Sequence, residues 1–159
     1  MINKIIKIFF VLVCMISIFK LSSDNDKESS KKSDGLIINV TKIIIGHNLN
    51  KKEEKKYVTK YVHIVRKLAH YTIYLLLGLS LISLVKEYRQ LDIKAILIAL
   101  IISMLYACSD EIHQLFIPGR SGEIKDVLID SIGALSGIYI YYYLNKIRRR
   151  KYEQKKAIS

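Results

Sequence analysis

The apolar residues of this chain arrive in blocks separated by charge, at about residues 4–21, 66–85, 93–109 and 126–145. A helix needs about 20 mostly apolar residues to cross the roughly 30 Å of bilayer hydrocarbon, and each block approaches that length. The expected fold is therefore all-α, an integral membrane helical bundle of about four transmembrane helices. Interfacial amphipathic helices are expected in a surface loop at 22–65, with a basic tail at 146–159, all within a single membrane domain 1–159. A composition of 51% hydrophobic residues with 7 Gly and 1 Pro excludes a disordered or collagen-like chain.

The first block, with Lys4 and Lys7 at its start, has the charge of a signal peptide. Cleavage needs small residues beyond the apolar run, and Ile18-Phe19-Lys20-Leu21 offers none. A lipoprotein signal needs a small residue before Cys14, where Val13 stands. The block is expected to remain as the first transmembrane helix. Cys14 and Cys108 both lie in apolar runs, without the spacing of a disulfide framework or zinc site, and read as buried free thiols.

In the first loop, Ser22-Ser23-Asp24-Asn25-Asp26 opens a solvated turn region reaching Ser33. Ser33-Asp34 then caps a short helix whose Leu36, Ile37, Val40, Ile43 and Ile44 recur at helical spacing, suited to the membrane surface. His47-Asn48-Leu49-Asn50 interrupts it, and 51–60 is a charged approach to the next span. Tyr57, Tyr61, Ile64, Val65 and Leu68 share one side of that approach, and Lys55, Lys56, Lys60 and Arg66 the other. His63 lies between these faces as an interfacial histidine with a solvated ring.

The polar chemistry concentrates in 106–137, with a counterpart in the second span. Lys67, His70, Tyr71 and Tyr74 follow i, i+3, i+4, i+7, so one stripe of an apolar helix faces something other than lipid. Ala107, Asp110, Glu111 and Gln114 repeat that spacing at the end of the third span. Pro118-Gly119 fits the centre of a type II turn, which returns the chain through Arg120 to Asp126. Asp126, Asp130, Gly133 and Gly137 then join two carboxylates to two close-packing positions on the fourth span, with Gly78 as a further small residue on the second. In an antiparallel four-span arrangement the start of span two, the end of span three and the start of span four lie at one membrane face. Lys67, His70, Tyr74, Asp110, Glu111, Gln114, Arg120, Asp126 and Asp130 thus form the expected functional cluster, since ionisable residues at that depth are costly without a role.

The net charge of +12 lies in loops and tails. No zinc-finger spacing, helix-turn-helix pattern or aromatic-interleaved basic face accompanies it, so nucleic acid is not an expected partner. Membrane lipids are, because Lys and Arg beside apolar spans engage anionic headgroups. Lys146, Arg148, Arg149, Arg150 and Lys151, following the tyrosine girdle at 139–143, place the tail in the cytoplasm by the positive-inside rule. An even number of spans puts the amino terminus there too, and 110–126 outside.

The fragments Arg66-Lys67-Leu68-Ala69-His70-Tyr71 with Tyr74 and Gly78, Asp110-Glu111 with Gln114-Leu115-Phe116 and Pro118-Gly119-Arg120, and Asp126 with Gly133 and Gly137 together resemble the VanZ-like family of bacterial membrane proteins. The resemblance covers most of the chain beyond the first span, and Ser22-Ser23 adds to it. Asp130 stands where that pattern more often has Asn. The resemblance implies a multi-pass plasma-membrane protein of the cell envelope, similar to one associated with low-level resistance to the glycopeptide teicoplanin.

Two function classes follow from the cluster. In one, paired charges close the helices around a lipid-like or lipoglycopeptide ligand. In the other, an intramembrane enzyme acts on a lipid-linked cell-wall precursor, with His70 or a carboxylate as general base and Lys67 or Arg120 stabilising negative charge. No nucleophile motif, phosphate loop or metal-ligand spacing assigns a catalytic residue. Asp110, Glu111, Asp126 and His70 would suit a hard divalent cation by ligand type. The cations and carboxylates can neutralise one another, so neither a metal nor a cofactor is expected.

Overall fold

The computed structural model describes residues 2–24, 26–45 and 48–158, and within them the chain forms helices without strands. They are α1 (Ile2–Ser23), α2 (Asp26–Ile45), α3 (Lys51–Val85), α4 (Ile93–Gln114) and α5 (Ile124–Ile158). All but α2 contain a segment long and apolar enough to cross a membrane, as the four blocks require. Many large apolar side chains point outward, among them Phe9, Phe10, Ile101, Leu105, Leu128 and Ile132, as suits helices solvated by lipid.

The first loop departs from expectation. Ser22 and Ser23 continue α1, and α2 begins at Asp26, well before Ser33. Ser23 satisfies its hydroxyl by donating to the Phe19 carbonyl at 2.7 Å, and Ser22 finds a partner on α4, so both stay helical as the last two residues of α1. Asn25 and His47, parts of the predicted turn and interruption, lie outside the described residues. Asn50 caps α3, its side chain accepting from the N–H groups of Lys52 and Glu53 while Glu53 accepts from the Asn50 N–H. With no break after it, the approach segment and the second span form one 35-residue helix, about 50 Å long. The tail after 145 likewise continues α5.

The most intimate pairing is α3 with α5, and glycine accounts for it. A Cβ at Gly78 would overlap the backbone of Ala134, at Gly133 that of Tyr71, and at Gly137 that of Leu75. The missing side chains let the two backbones meet directly, the means by which helices gain dispersion energy in a solvent as apolar as themselves. Against this pair, α1 and α4 complete a core that includes Val11, Ile18, Tyr74, Leu77, Ile82, Ala99 and Ile138. Cys14 is buried and free as expected, but Cys108 is exposed, because its neighbours Ala107, Asp110 and Glu111 take the inner face of α4.

At the end of the bundle opposite the polar cluster, Lys7 pairs with Glu87 and also donates to the Ser83 carbonyl at 3.2 Å. That pairing holds the Glu87 carboxyl below its ordinary pKa. Asp92 caps α4 by accepting from the Ala95 N–H at 2.8 Å, and this bond, reinforced by Arg89, lowers its pKa as well.

Candidate functional site

The turn that organises the site forms as its residues dictate. Arg120 N–H donates to the Ile117 carbonyl at 3.1 Å, and Gly119, with φ of 80°, supplies the positive dihedral that a type II turn demands after proline. The chain reverses between α4 and α5, and Gly122 passes so close to the Glu111 carbonyl that a Cβ would sit 2.6 Å from it.

Behind the turn lies a buried layer of hydrogen bonds. Ser22 Oγ donates to Asp110 Oδ2 at 2.7 Å, and Gln114 Nε2 donates to the same oxygen at 3.3 Å and to Glu111 Oε1 at 2.9 Å. The other Glu111 oxygen accepts from the Glu123 N–H at 2.8 Å. Arg120 donates from Nη2 to the Leu21 carbonyl at 2.9 Å, from Nε to the Asp24 carbonyl at 3.0 Å and from Nη1 to Gln114 Oε1 at 3.2 Å. Its guanidinium serves carbonyls at and beyond the end of α1, which the helix itself leaves without donors. The i, i+3, i+4, i+7 stripe of α4 is thus buried as predicted, with Asp110, Glu111 and Gln114 each at most 6% exposed.

In front of this layer the α3 and α5 stripes face each other. Lys67 Nζ donates to Asp126 Oδ1 at 2.6 Å, with Glu123 Oε2 at 4.0 Å. One turn deeper, His70 Nδ1 stands 3.7 Å from Asp130 Oδ2, and deeper still Tyr71 donates to Ser136 Oγ at 2.9 Å. Asp130 is completely buried, and neither of its carboxylate oxygens has a hydrogen-bond partner; the buried Tyr74 hydroxyl has none either. Among the described residues, the groups that could hold an ion are His70, Asp110 and Asp130, each with a ligand atom within 4.8 Å of the others. This is a different set from the one composed on sequence grounds, since Glu111 is engaged by the turn and Asp126 by Lys67.

The two stripes enclose a cavity of about 270 Å³ lined by His63, Arg66, Lys67, His70, Gln114, Arg120, Glu123, Asp126 and Asp130, among others. All nine residues of the predicted cluster lie in the buried layer, the facing stripes or the cavity wall. Three residues outside the expected cluster join the site: Ser22, which the sequence places in a turn, Glu123, and His63, whose ring lines the cavity. A hydroxyl immediately at the end of an apolar block, level with buried carboxylates of another span, was the available signal for Ser22.

Beside the cavity, a smaller recess of about 130 Å³ shares Arg66, His70 and Arg120 with it and reaches Leu36 and Val65. Those two residues also line an apolar groove of about 710 Å³ between α2 and α3, walled by Ile37, Val40, Ile44, Tyr57, Tyr61 and Ile64. The recess therefore shares walls with both a charged chamber and an oily groove.

No curated protein and no solved structure matches the chain. The sequence profile of the VanZ/LLP1 family matches residues 7–145, from the first turns of α1 through the apolar part of α5 and across every residue of the cavity, and the chain belongs to that family.

Proposed function

We propose that this membrane protein binds an acyl-bearing amphiphile with an anionic polar head at the outer face of the plasma membrane, and so contributes to resistance to teicoplanin-type glycopeptides. The observation that carries this reading is the recess that shares Arg66, His70 and Arg120 with the polar cavity and Leu36 and Val65 with the α2–α3 groove. Arg66, Lys67 and Arg120 offer positive charge to the head, while Ile37, Val40, Tyr61 and Ile64 offer an apolar bed to an acyl chain. A head and a tail on one molecule satisfy both at once, whereas a soluble anion uses only the first.

A lipoglycopeptide and a lipid-linked cell-wall precursor share this chemistry, and susceptibility testing separates them. Cells carrying the gene, lacking it, or carrying Asp126→Ala are compared against lipidated and non-lipidated glycopeptides. Protection confined to lipidated compounds and lost in the variant supports recognition of the drug. Turnover of a lipid-linked precursor by the purified protein would replace this reading with the alternative of an intramembrane enzyme.

A further inference from the structure

We propose that His70, Asp110 and Asp130 form a three-ligand site for a divalent transition-metal ion, Zn²⁺ being the best chemical match. One residue comes from each of α3, α4 and α5, and their ligand atoms lie within 4.8 Å of one another. Tetrahedral zinc with bonds of roughly 2.0–2.2 Å holds its ligand atoms about 3.3–3.6 Å apart, so closure requires each side chain to move by under about an ångström.

Asp130 supplies the independent sign that something belongs there. Its side chain is fully buried and neither oxygen is hydrogen-bonded, while His70 Nδ1 at 3.7 Å is too far to donate. A buried carboxylate without donors is among the costliest groups a fold can hold, and a cation between it and its neighbours removes that cost.

The remaining chemistry narrows the choice. Two carboxylates and a neutral imidazole balance a 2+ charge. Imidazole beside carboxylate suits zinc, whereas calcium and magnesium favour oxygen alone. The other acidic side chains nearby are already engaged, Glu111 by Gln114 and the Glu123 N–H, and Asp126 by Lys67. Ser22 and Gln114 hold Asp110 from behind in the manner of groups that orient metal ligands. His70 and Asp130 also line the cavity, which gives an ion a route in. The site stands without the ligand reading above.

The test uses untagged full-length protein in detergent, loaded with Zn²⁺, dialysed against metal-free buffer and assayed for metal by mass spectrometry. About one zinc per chain is expected, and Co²⁺ substitution should yield visible ligand-field bands. His70→Gln and Asp130→Asn, checked for folding by gel filtration and helical circular dichroism, should weaken binding by at least about tenfold. Glu153→Gln, exposed on the carboxy-terminal part of α5, should retain it. Wild-type protein that holds no zinc and gives no cobalt bands overturns the proposal, as does undiminished binding by either folded variant.

Discussion

Ser22, at the end of α1, donates a 2.7 Å hydrogen bond to Asp110 on α4, with both side chains buried. This contact ties the first transmembrane helix to the polar layer. Ser22→Ala leaves Asp110 Oδ2 with only the longer bond from Gln114, and should cost about 1.5–3 kcal/mol, the usual contribution of a hydrogen bond to a charged group. Thermal unfolding in detergent reads this directly; an unchanged midpoint would mean the bond contributes nothing.

Two glycines should respond to substitution with opposite signs. Gly137→Ala drives a methyl into the Leu75 backbone and should destabilise the α3–α5 pair by about 1–3 kcal/mol. Gly35→Ala meets open space inside α2, where the higher helix propensity of alanine should stabilise by up to about 1 kcal/mol. Parallel melting curves check both, and equal effects would contradict the packing described.

Lys67 and Asp126 should show measurable coupling. Both side chains are partly solvent-accessible, so about 1 kcal/mol is expected from the double-mutant cycle of Lys67→Ala and Asp126→Ala, less than a desolvated pair would give. Strict additivity would show that the two groups are separately solvated.

How much of this was legible beforehand depended on periodicity. Stripes such as Lys67, His70, Tyr71, Tyr74 and Ala107, Asp110, Glu111, Gln114 announce by spacing alone the helix face that meets other helices, and Pro118-Gly119 announces its turn by backbone chemistry. Partner choice was not legible. Sequence places Arg120 and Lys67 equally near the carboxylates, but the path of α1 brings the Leu21 and Asp24 carbonyls to Arg120, while the α3–α5 register brings Lys67 to Asp126. The same limit explains Ser22, whose surroundings come from a helix distant in the chain.

Orientation has its own test. On a background lacking Cys14 and Cys108, cysteine at Ser121 should react with an impermeant thiol reagent on intact cells, and cysteine at Gln154 only after permeabilisation. The basic tail motivates this order. Preferential labelling at Gln154 would invert the topology.

The most direct test of the head-and-tail account is binding of teicoplanin by purified protein in lipid nanodiscs, measured against empty nanodiscs and against a glycopeptide lacking the acyl chain. Val65→Glu places a charge on the wall shared by the recess and the groove. The account predicts binding of the acylated compound in excess over empty nanodiscs, little binding of the other, and loss of the excess in Val65→Glu. Equal binding of both compounds, or an excess that Val65→Glu leaves untouched, would contradict it.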